Sequence, residues 1–272
     1  MKPPTLRRQH DLNEIIGYAY RLYFANFAPF FLIAAITIPL QLLIGVIQQG
    51  SDSDAANVTA SLLNIPAAFV GLIASSALIY AIHEATGGTR PDFGRAIDAA
   101  FARFRALFAS SLLAAALAIL SAIAAPALAV WWLIHRDATI DGRRNWWLAI
   151  VPGALLVYLA VRWGFAQQAV IIEQKRNWAA LDDSATIVRG YWWRTLGILL
   201  VILLIQLGPI LLSSSATFLP PLAASAIAAG VFALVIPFPV TAQTLLYYDL
   251  KARRQDDVRA DRLPTAEPDL QG

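Results

Sequence analysis

Long stretches without any charged residue constrain this chain more than any other feature of its sequence. Asp, Glu, Lys and Arg are absent from residues 195–248, a run of 54 residues. Shorter uncharged runs cover 22–51, 55–83, 106–135, 145–161 and 163–172. A helix that crosses the hydrocarbon core of a bilayer needs about 20 apolar residues, so the longest run alone can hold two crossings. The sequence therefore predicts an all-α, polytopic membrane protein.

The uncharged runs predict six membrane-spanning helices that form three hairpins. Their expected limits are 27–47, 62–83, 106–134, 146–172, 195–212 and 222–248. Seventeen of the 21 Lys and Arg residues lie in the N-terminal part, the connectors 84–105 and 173–194, and the C-terminal tail. Because Lys and Arg collect on the cytoplasmic side, we expect both termini in the cytoplasm. The loop 136–145, with three arginines, goes against this orientation.

Three similar segments indicate a pseudo-threefold repeat within a single transmembrane domain, residues 11–250. The expected repeats are 11–84, 92–173 and 178–249, and each begins with a basic stretch rich in aromatic residues. Such helices lie flat at the level of the lipid headgroups, so we expect one cytoplasmic interfacial amphipathic helix before each hairpin. The alternative is that basic aromatic stretches precede the spans without true repetition. Residues 1–10 are expected to form a polar tail and 251–272 a disordered polar tail.

Several function classes are not expected from the residue inventory. The chain has no cysteine, and its three histidines are too far apart for metal-ligand spacing. No phosphate-binding glycine motif is present, and no nucleophile lies near a base in the sequence. We therefore expect no enzymatic activity, no metal and no cofactor. The basic residues flank apolar spans, which favours membrane orientation over nucleic-acid binding.

Each predicted hairpin returns to the cytoplasmic side and ends in a carboxylate, namely Glu84, Glu173 or Asp249. A carboxylate at a helix C-terminus opposes the helix dipole at a cost of about 0.3–1 kcal/mol, so basic partners are expected. The candidates on the interfacial helices are Arg103 or Arg105, and Arg189 or Arg194. Such pairs either staple the surface helices to the bundle or form a ring that binds a cation or proton.

Arg162 lies within a predicted span, where a charged residue is by default a functional hypothesis. It either anchors the helix at the cytoplasmic headgroups or lies deeper and needs polar partners. Pro237 and Pro239 predict a helix kink or a true break, and breaks of that kind build many transporter sites. Gln243 is expected to hydrogen-bond between helices.

Two stretches resemble a known bacterial family. Residues 162–173 form an apolar span that ends in Glu, and 178–194 follow with an Ala-Leu…Ser…Val-Arg-Gly…Trp-Arg pattern; residues 245–253 contain Tyr-Tyr-Asp-Leu. These patterns resemble the membrane domain labelled "glycerophosphoryl diester phosphodiesterase membrane domain", over residues 10–254. The resemblance implies the membrane half of such proteins without the hydrolase, because the catalytic barrel needs about 250 residues.

The leading expectation is a non-catalytic integral protein of the bacterial inner membrane, a scaffold or accessory in envelope or lipid handling. Its expected partners are anionic lipid headgroups at the cytoplasmic face, together with other proteins or a second copy of the chain. Nucleic acid is not an expected partner. The alternative is a small transporter or channel component with a polar site around Arg162 and the Pro237/Pro239 break.

Overall fold

The computed structural model describes residues 12–50, 53–134, 147–214 and 218–260, and the regular structure within these ranges consists of helices. In chain order they are α1 Leu12–Ala25, α2 Phe27–Ala35, α3 Ile38–Gly50, α4 Asp54–Thr86, α5 Phe93–Ala102, α6 Phe104–Ile134, α7 Trp147–Trp163, α8 Ala166–Glu173, α9 Trp178–Val188, α10 Trp192–Ser214, α11 Pro221–Val235 and α12 Pro237–Ala260. The all-α prediction is confirmed for the described ranges. The predicted loop 136–145 and the tail 1–10 lie outside them.

Four helical segments are long and apolar enough to cross a membrane. They are Asp54–Thr86, Phe104–Ala124, Ile150–Glu173 and Pro221–Arg259. Two bent pairs would raise the number to six, if each pair is one crossing: Phe27–Ala35 with Ile38–Gln48, bent by 47°, and Trp178–Val188 with Trp192–Gly208, bent by 103°. The described part of the chain therefore holds four to six candidate spans.

The first predicted span, 27–47, is bent because its helical hydrogen-bond ladder is interrupted near Pro39. Proline has no N–H, so Pro39 cannot donate to the carbonyl four residues earlier. The helix ends at Ala35, and Thr37 covers the exposed end by donating its hydroxyl to the Ala34 carbonyl at 2.9 Å. α3 then begins at Ile38.

The last helix, α12, extends further than the sequence predicted. The expected disordered tail begins at residue 251, yet α12 continues to Ala260, and Ala252 is buried within it. Polar contacts to the rest of the bundle explain the extension: Lys251 pairs with Glu173, and Tyr191 donates to Asp257 at 2.9 Å. The tail assignment is therefore wrong for residues 251–260, and residues 261–272 lie outside the described ranges.

Helix packing follows a regular order along the chain. α3 packs on α4, α6 on α7 and α10 on α11, so consecutive long helices are neighbours. Two short helices pack on the helix that directly precedes them in the chain: α5 packs on α4, and α9 packs on α8. α1, the first helix of the described ranges, packs on α12. The two ends of the helical domain are thereby brought together.

The interior consists of three clusters of apolar side chains. Leu246 and Tyr247 of α12 are completely buried in the first, Phe30 of α2 in the second and Leu107 of α6 in the third. α3 and α11 approach so closely that a Cβ atom on Gly45 would lie 2.5 Å from the Ser225 hydroxyl oxygen. Small residues permit such contacts, and close van der Waals packing is what holds helices together in lipid.

Candidate functional site

The three carboxylates that close the predicted hairpins lie at one end of the bundle, hereafter the charged end. α12 joins them, because Tyr247 donates its hydroxyl to Glu173 and the neighbouring Tyr248 hydroxyl lies 2.5 Å from Nδ1 of His83, the residue before Glu84. Asp249 follows directly in the same helix. The charged end is therefore built by α4, α8 and α12, with the short helices α5 and α9 packed beside them.

Glu173 is the centre of a mixed charge cluster. Lys251 donates to one of its oxygens, and Lys175 lies 3.1 Å from the other. Lys175 also donates to Asp183 of α9, so α8, α9 and α12 are linked through two lysines and two carboxylates. Burial alone would lower the pKa of Lys175, but hydrogen bonds with Asp183 and Glu173 outweigh it and raise this pKa. The Lys175 ammonium group therefore stays protonated, and Lys175 and Lys251 together link the three helices.

Asp249 is the most deeply buried of the three carboxylates, with 2% of its side chain exposed. Nε of Arg253, one turn later in α12, lies 2.9 Å from Oδ2 of Asp249, and an Arg194 nitrogen lies 3.3 Å from the same oxygen. The Arg253 guanidinium also lies 5.9 Å from the centre of the Tyr191 ring. Two guanidinium groups thus compensate one buried carboxylate and connect α12 with the beginning of α10.

Glu84 lies at the end of α4 and is paired with Arg95 of α5 at 3.3 Å. Its second oxygen, Oε2, is buried and has no hydrogen-bond partner among the described residues. A cavity of about 310 Å³ adjoins it and is lined by His83, Thr86 and Tyr248, among others. This carboxylate is therefore less completely compensated than the other two.

The expected basic partners of the carboxylates are corrected by these contacts. Of the four arginines proposed, Arg194 alone has one of the three carboxylates within ion-pair distance in the described part of the chain. Arg103, which follows α5, donates to the Ala99 carbonyl of that helix, while Arg105 and Arg189 are exposed. Each carboxylate does have a basic partner, as the sequence predicts. Spacing along a helix does not reveal which basic side chain that partner is.

Arg162 lies in the last turn of α7 and donates to the Tyr158 hydroxyl at 2.8 Å, one turn earlier on the same helix. Two residues further on, a turn at 164–165 separates α7 from α8 and exposes backbone groups. Ser184 of α9 accepts from the Phe165 N–H at 3.1 Å and donates to the Arg162 carbonyl at 2.9 Å. The buried Ser184 side chain therefore provides hydrogen bonds to backbone groups at the turn between α7 and α8.

Gln243 hydrogen-bonds between helices, as the sequence predicted: its Nε2 donates to the Gly164 carbonyl at 2.9 Å. The cavities of the described ranges include three with volumes of about 670, 680 and 310 Å³. Neither Arg162 nor Gln243 lines any of these three. The two residues expected to form a transport site thus contact helix backbone or a neighbouring tyrosine.

Tyr23 supplies a similar backbone contact at the Pro237/Pro239 position. α11 ends at Val235 and α12 begins at Pro237, and the Tyr23 hydroxyl donates to the Leu234 carbonyl at 2.6 Å. Together α11 and α12 still form one candidate span, Pro221–Arg259. Pro237 and Pro239 therefore lie at an interruption between α11 and α12, where Tyr23 of α1 donates a hydrogen bond to a backbone carbonyl.

Sequence reasoning missed six charged or hydrogen-bonding partners of the three carboxylates and their lysines: Arg95, Lys175, Asp183, Tyr247, Lys251 and Arg253. A signal was present for two of them, since Tyr247 and Lys251 are four residues apart and lie on the same face of a helix. No three His, Asp or Glu side chains gather as potential metal ligands in the described ranges. Chemically, the charged end is a set of matched ion pairs.

Comparison with protein families gives one match. A family model described as a domain of unknown function (DUF8558) matches residues 57–265, which is more than half of the chain. No curated protein and no solved structure matches the chain.

Proposed function

The chain belongs to the DUF8558 family, and we propose that it is a non-catalytic integral protein of the bacterial inner membrane, a scaffold or accessory in envelope or lipid handling. One observation carries the proposal: large aromatic side chains are exposed near arginines on the short helices α1, α5 and α9. Tyr20 is 57% exposed on α1, Phe101 58% on α5 and Trp178 60% on α9. Aromatic rings of this kind prefer the boundary between hydrocarbon and headgroups.

In this proposal α1, α5 and α9 are interfacial helices at the cytoplasmic face. Each has a buried side that packs on the bundle, such as Ala19 of α1, Ala96 of α5 and Leu181 of α9. Their arginines extend the contact to anionic headgroups, each adding about 1 kcal/mol of attraction near the surface. The charged end then acts as a rigid support for α5 and α9.

A pseudo-threefold repeat is supported by two hydrogen bonds in equivalent positions. The Ser75 hydroxyl of α4 donates to Gln167 of α8 at 3.3 Å, and Gln243 of α12 donates to the Gly164 carbonyl just before α8. The hairpin carboxylates are 89 residues apart between the first two repeats and 76 apart between the last two. These offsets align Gln243 with Gln167 and Gly164 with Ser75. Each glutamine therefore contacts the equivalent place in the preceding repeat.

The transporter alternative has less support. Its candidate residues, Arg162 and Gln243, are engaged with Tyr158 and with the Gly164 carbonyl. The apolar groove of about 670 Å³ between α4 and α6 includes Ser75 and Gln167, which bond to each other. A polar path for a solute needs side chains that are available to replace water, and those at these positions are already paired.

The side of the membrane on which each loop lies distinguishes six spans from four. Because the chain has no native cysteine, an introduced cysteine is the single site that a maleimide can label. We expect Ala55→Cys and Leu219→Cys to react with an impermeant maleimide added outside intact spheroplasts. Thr89→Cys and Val258→Cys should react only after the membrane is permeabilised. All four positions are exposed side chains, so labelling depends on the side of the membrane. With four spans, Ala55→Cys and Leu219→Cys would lie on opposite sides of the membrane, as would Thr89→Cys and Val258→Cys, which would contradict the six-span arrangement.

The proposed lipid contact is tested with the wild-type protein in nanodiscs. Replacing part of the phosphatidylcholine by phosphatidylglycerol at constant ionic strength should raise the midpoint of thermal unfolding. High salt should reduce the increase, because surface attraction is screened. Equal midpoints in both lipids at low salt would contradict a role that depends on anionic headgroups.

A further inference from the structure

A hollow at the charged end gathers four cationic side chains between α6 and the loop that joins α8 to α9. Its volume is about 680 Å³, within the range of about 300–1,000 Å³ usual for ligand pockets. Arg103 and Arg105 line it on one side, and Lys175 and Arg176 on the other. No Asp or Glu is among its lining residues. A space of this size with one sign of charge favours an anion.

Three of the four cations, Arg103, Arg105 and Arg176, have no ion pair within the described ranges. Lys175 is held by Glu173 and Asp183, and Arg103 donates to the Ala99 carbonyl of α5. Arg105 and Arg176 are exposed, and no carboxylate of the described chain lies within ion-pair distance of either. Like charges gathered without counter-charges repel each other unless an anion neutralises them. Arg105 and Arg176 are therefore the residues available to a ligand.

The backbone between α8 and α9 holds this arrangement in place. Gln174 and Asn177 have left-handed backbone conformations, with φ of 58° and 48°, and they flank Lys175 and Arg176. Non-glycine residues adopt such conformations rarely, and the surrounding structure must maintain them. α9 begins at Trp178, directly after Asn177 in the wall of the hollow, so the positive end of its dipole adds to the local charge.

The hollow lies at the boundary between apolar and polar surface. Ala106, Ala109 and Val170 form its apolar floor, and α6 continues beyond them as an uncharged helix with Leu112 more than half exposed. Phe101 and Trp178, both more than half exposed, flank it on α5 and α9. A bound molecule with an anionic group among the arginines would have its apolar part against α6. That combination describes a phospholipid better than a free anion.

We propose that this hollow binds the phosphate headgroup of an anionic glycerophospholipid, with Arg105 and Arg176 as its principal contacts. The inference rests on the proposed function and makes it specific, because it replaces a general attraction to lipid by one site. Arginine suits the role, since its planar guanidinium contacts phosphate through two parallel hydrogen bonds.

The experiment compares two double variants of equal charge in nanodiscs that contain phosphatidylcholine and a titrated fraction of phosphatidylglycerol. Arg105→Gln/Arg176→Gln removes the proposed contacts. Arg90→Gln/Arg259→Gln removes two exposed arginines that lie outside the hollow and outside α1, α5 and α9. We expect the first to weaken phosphatidylglycerol binding, followed by native mass spectrometry, about 30-fold, the equivalent of about 1 kcal/mol for each arginine. The second should weaken it less than about threefold. Both should unfold at the wild-type midpoint in pure phosphatidylcholine.

The remaining outcomes separate the two proposals. Equal weakening in both variants, or none in the first, would overturn the site while leaving a wild-type preference for phosphatidylglycerol intact. A wild-type protein without that preference would overturn the proposed function itself. Inorganic phosphate that protects the wild type as well as phosphatidylglycerol does would indicate a site for a free anion and would also overturn the lipid assignment.

Discussion

Replacing Asp249 by alanine is expected to lower the free energy of unfolding by about 3–5 kcal/mol, the usual cost of removing one partner from a buried ion pair. Only 2% of the Asp249 side chain is exposed, and two guanidinium groups point at one of its oxygens. Without the carboxylate, Arg194 and Arg253 would repel each other in a partly buried space. The contact between α12 and the beginning of α10 should then weaken.

Unfolding in detergent micelles, followed by SDS titration and circular dichroism, measures this effect. Asp182→Ala is the matched control, because it removes an exposed carboxylate from the neighbouring helix α9 and should change the free energy by less than about 0.5 kcal/mol. Asp249→Asn, which keeps the shape and loses the charge, should lie between the two. Equal stability of Asp249→Ala and Asp182→Ala would mean that the ion pairs at this position contribute nothing to the fold.

Glu173→Ala is the second substitution with a large expected effect, a loss of about 2–4 kcal/mol. It leaves Lys175 and Lys251 near each other with Asp183 as their remaining carboxylate, and it removes the acceptor of the buried Tyr247 hydroxyl. The estimate is lower than for Asp249 because about a third of each lysine side chain is exposed and water compensates part of the charge.

A double-mutant cycle separates the pair from its surroundings. Glu173→Gln, Lys251→Met and the combination of both should give a coupling energy of about 1–2 kcal/mol, as found for contacting charged groups. The same SDS titration reports it. A coupling energy near zero would show that the two helices are held by apolar contacts alone. A Glu173→Ala protein that is as stable as the wild type but no longer prefers anionic lipid would move this residue from structure to function.

The all-α fold and the long apolar helices could be predicted because both follow from one local property. A charge costs so much in hydrocarbon that uncharged runs must mark candidate spans, whatever surrounds them. The breaks were harder to predict. The bend before Pro39 has a local cause, whereas the turn at 164–165 is satisfied by Ser184, a residue of another helix. Nothing near Gly164 in the sequence indicates that serine.

The charged end could likewise be predicted only in part, because some of its features follow from the local sequence and others from contacts between distant helices. Glu84, Glu173 and Asp249 were recognised because each follows an apolar run, but their partners depend on how helices approach one another. Composition also misled at the C-terminus, where a polar segment was interpreted as disorder. Ala252 is buried there and Lys251 pairs with Glu173, so residues 251–260 are an amphipathic continuation of α12. Average polarity conceals a pattern of that kind, while a helical projection reveals it.

The contact between α1 and α12 has a consequence for biogenesis. Ile15 and Leu250 belong to the same apolar cluster although they lie at opposite ends of the domain. During synthesis α1 emerges before α12, so the apolar face of α1 that α12 covers stays uncovered until α12 has been made. An insertion chaperone, or the lipid surface itself, would have to shelter that face in the interval.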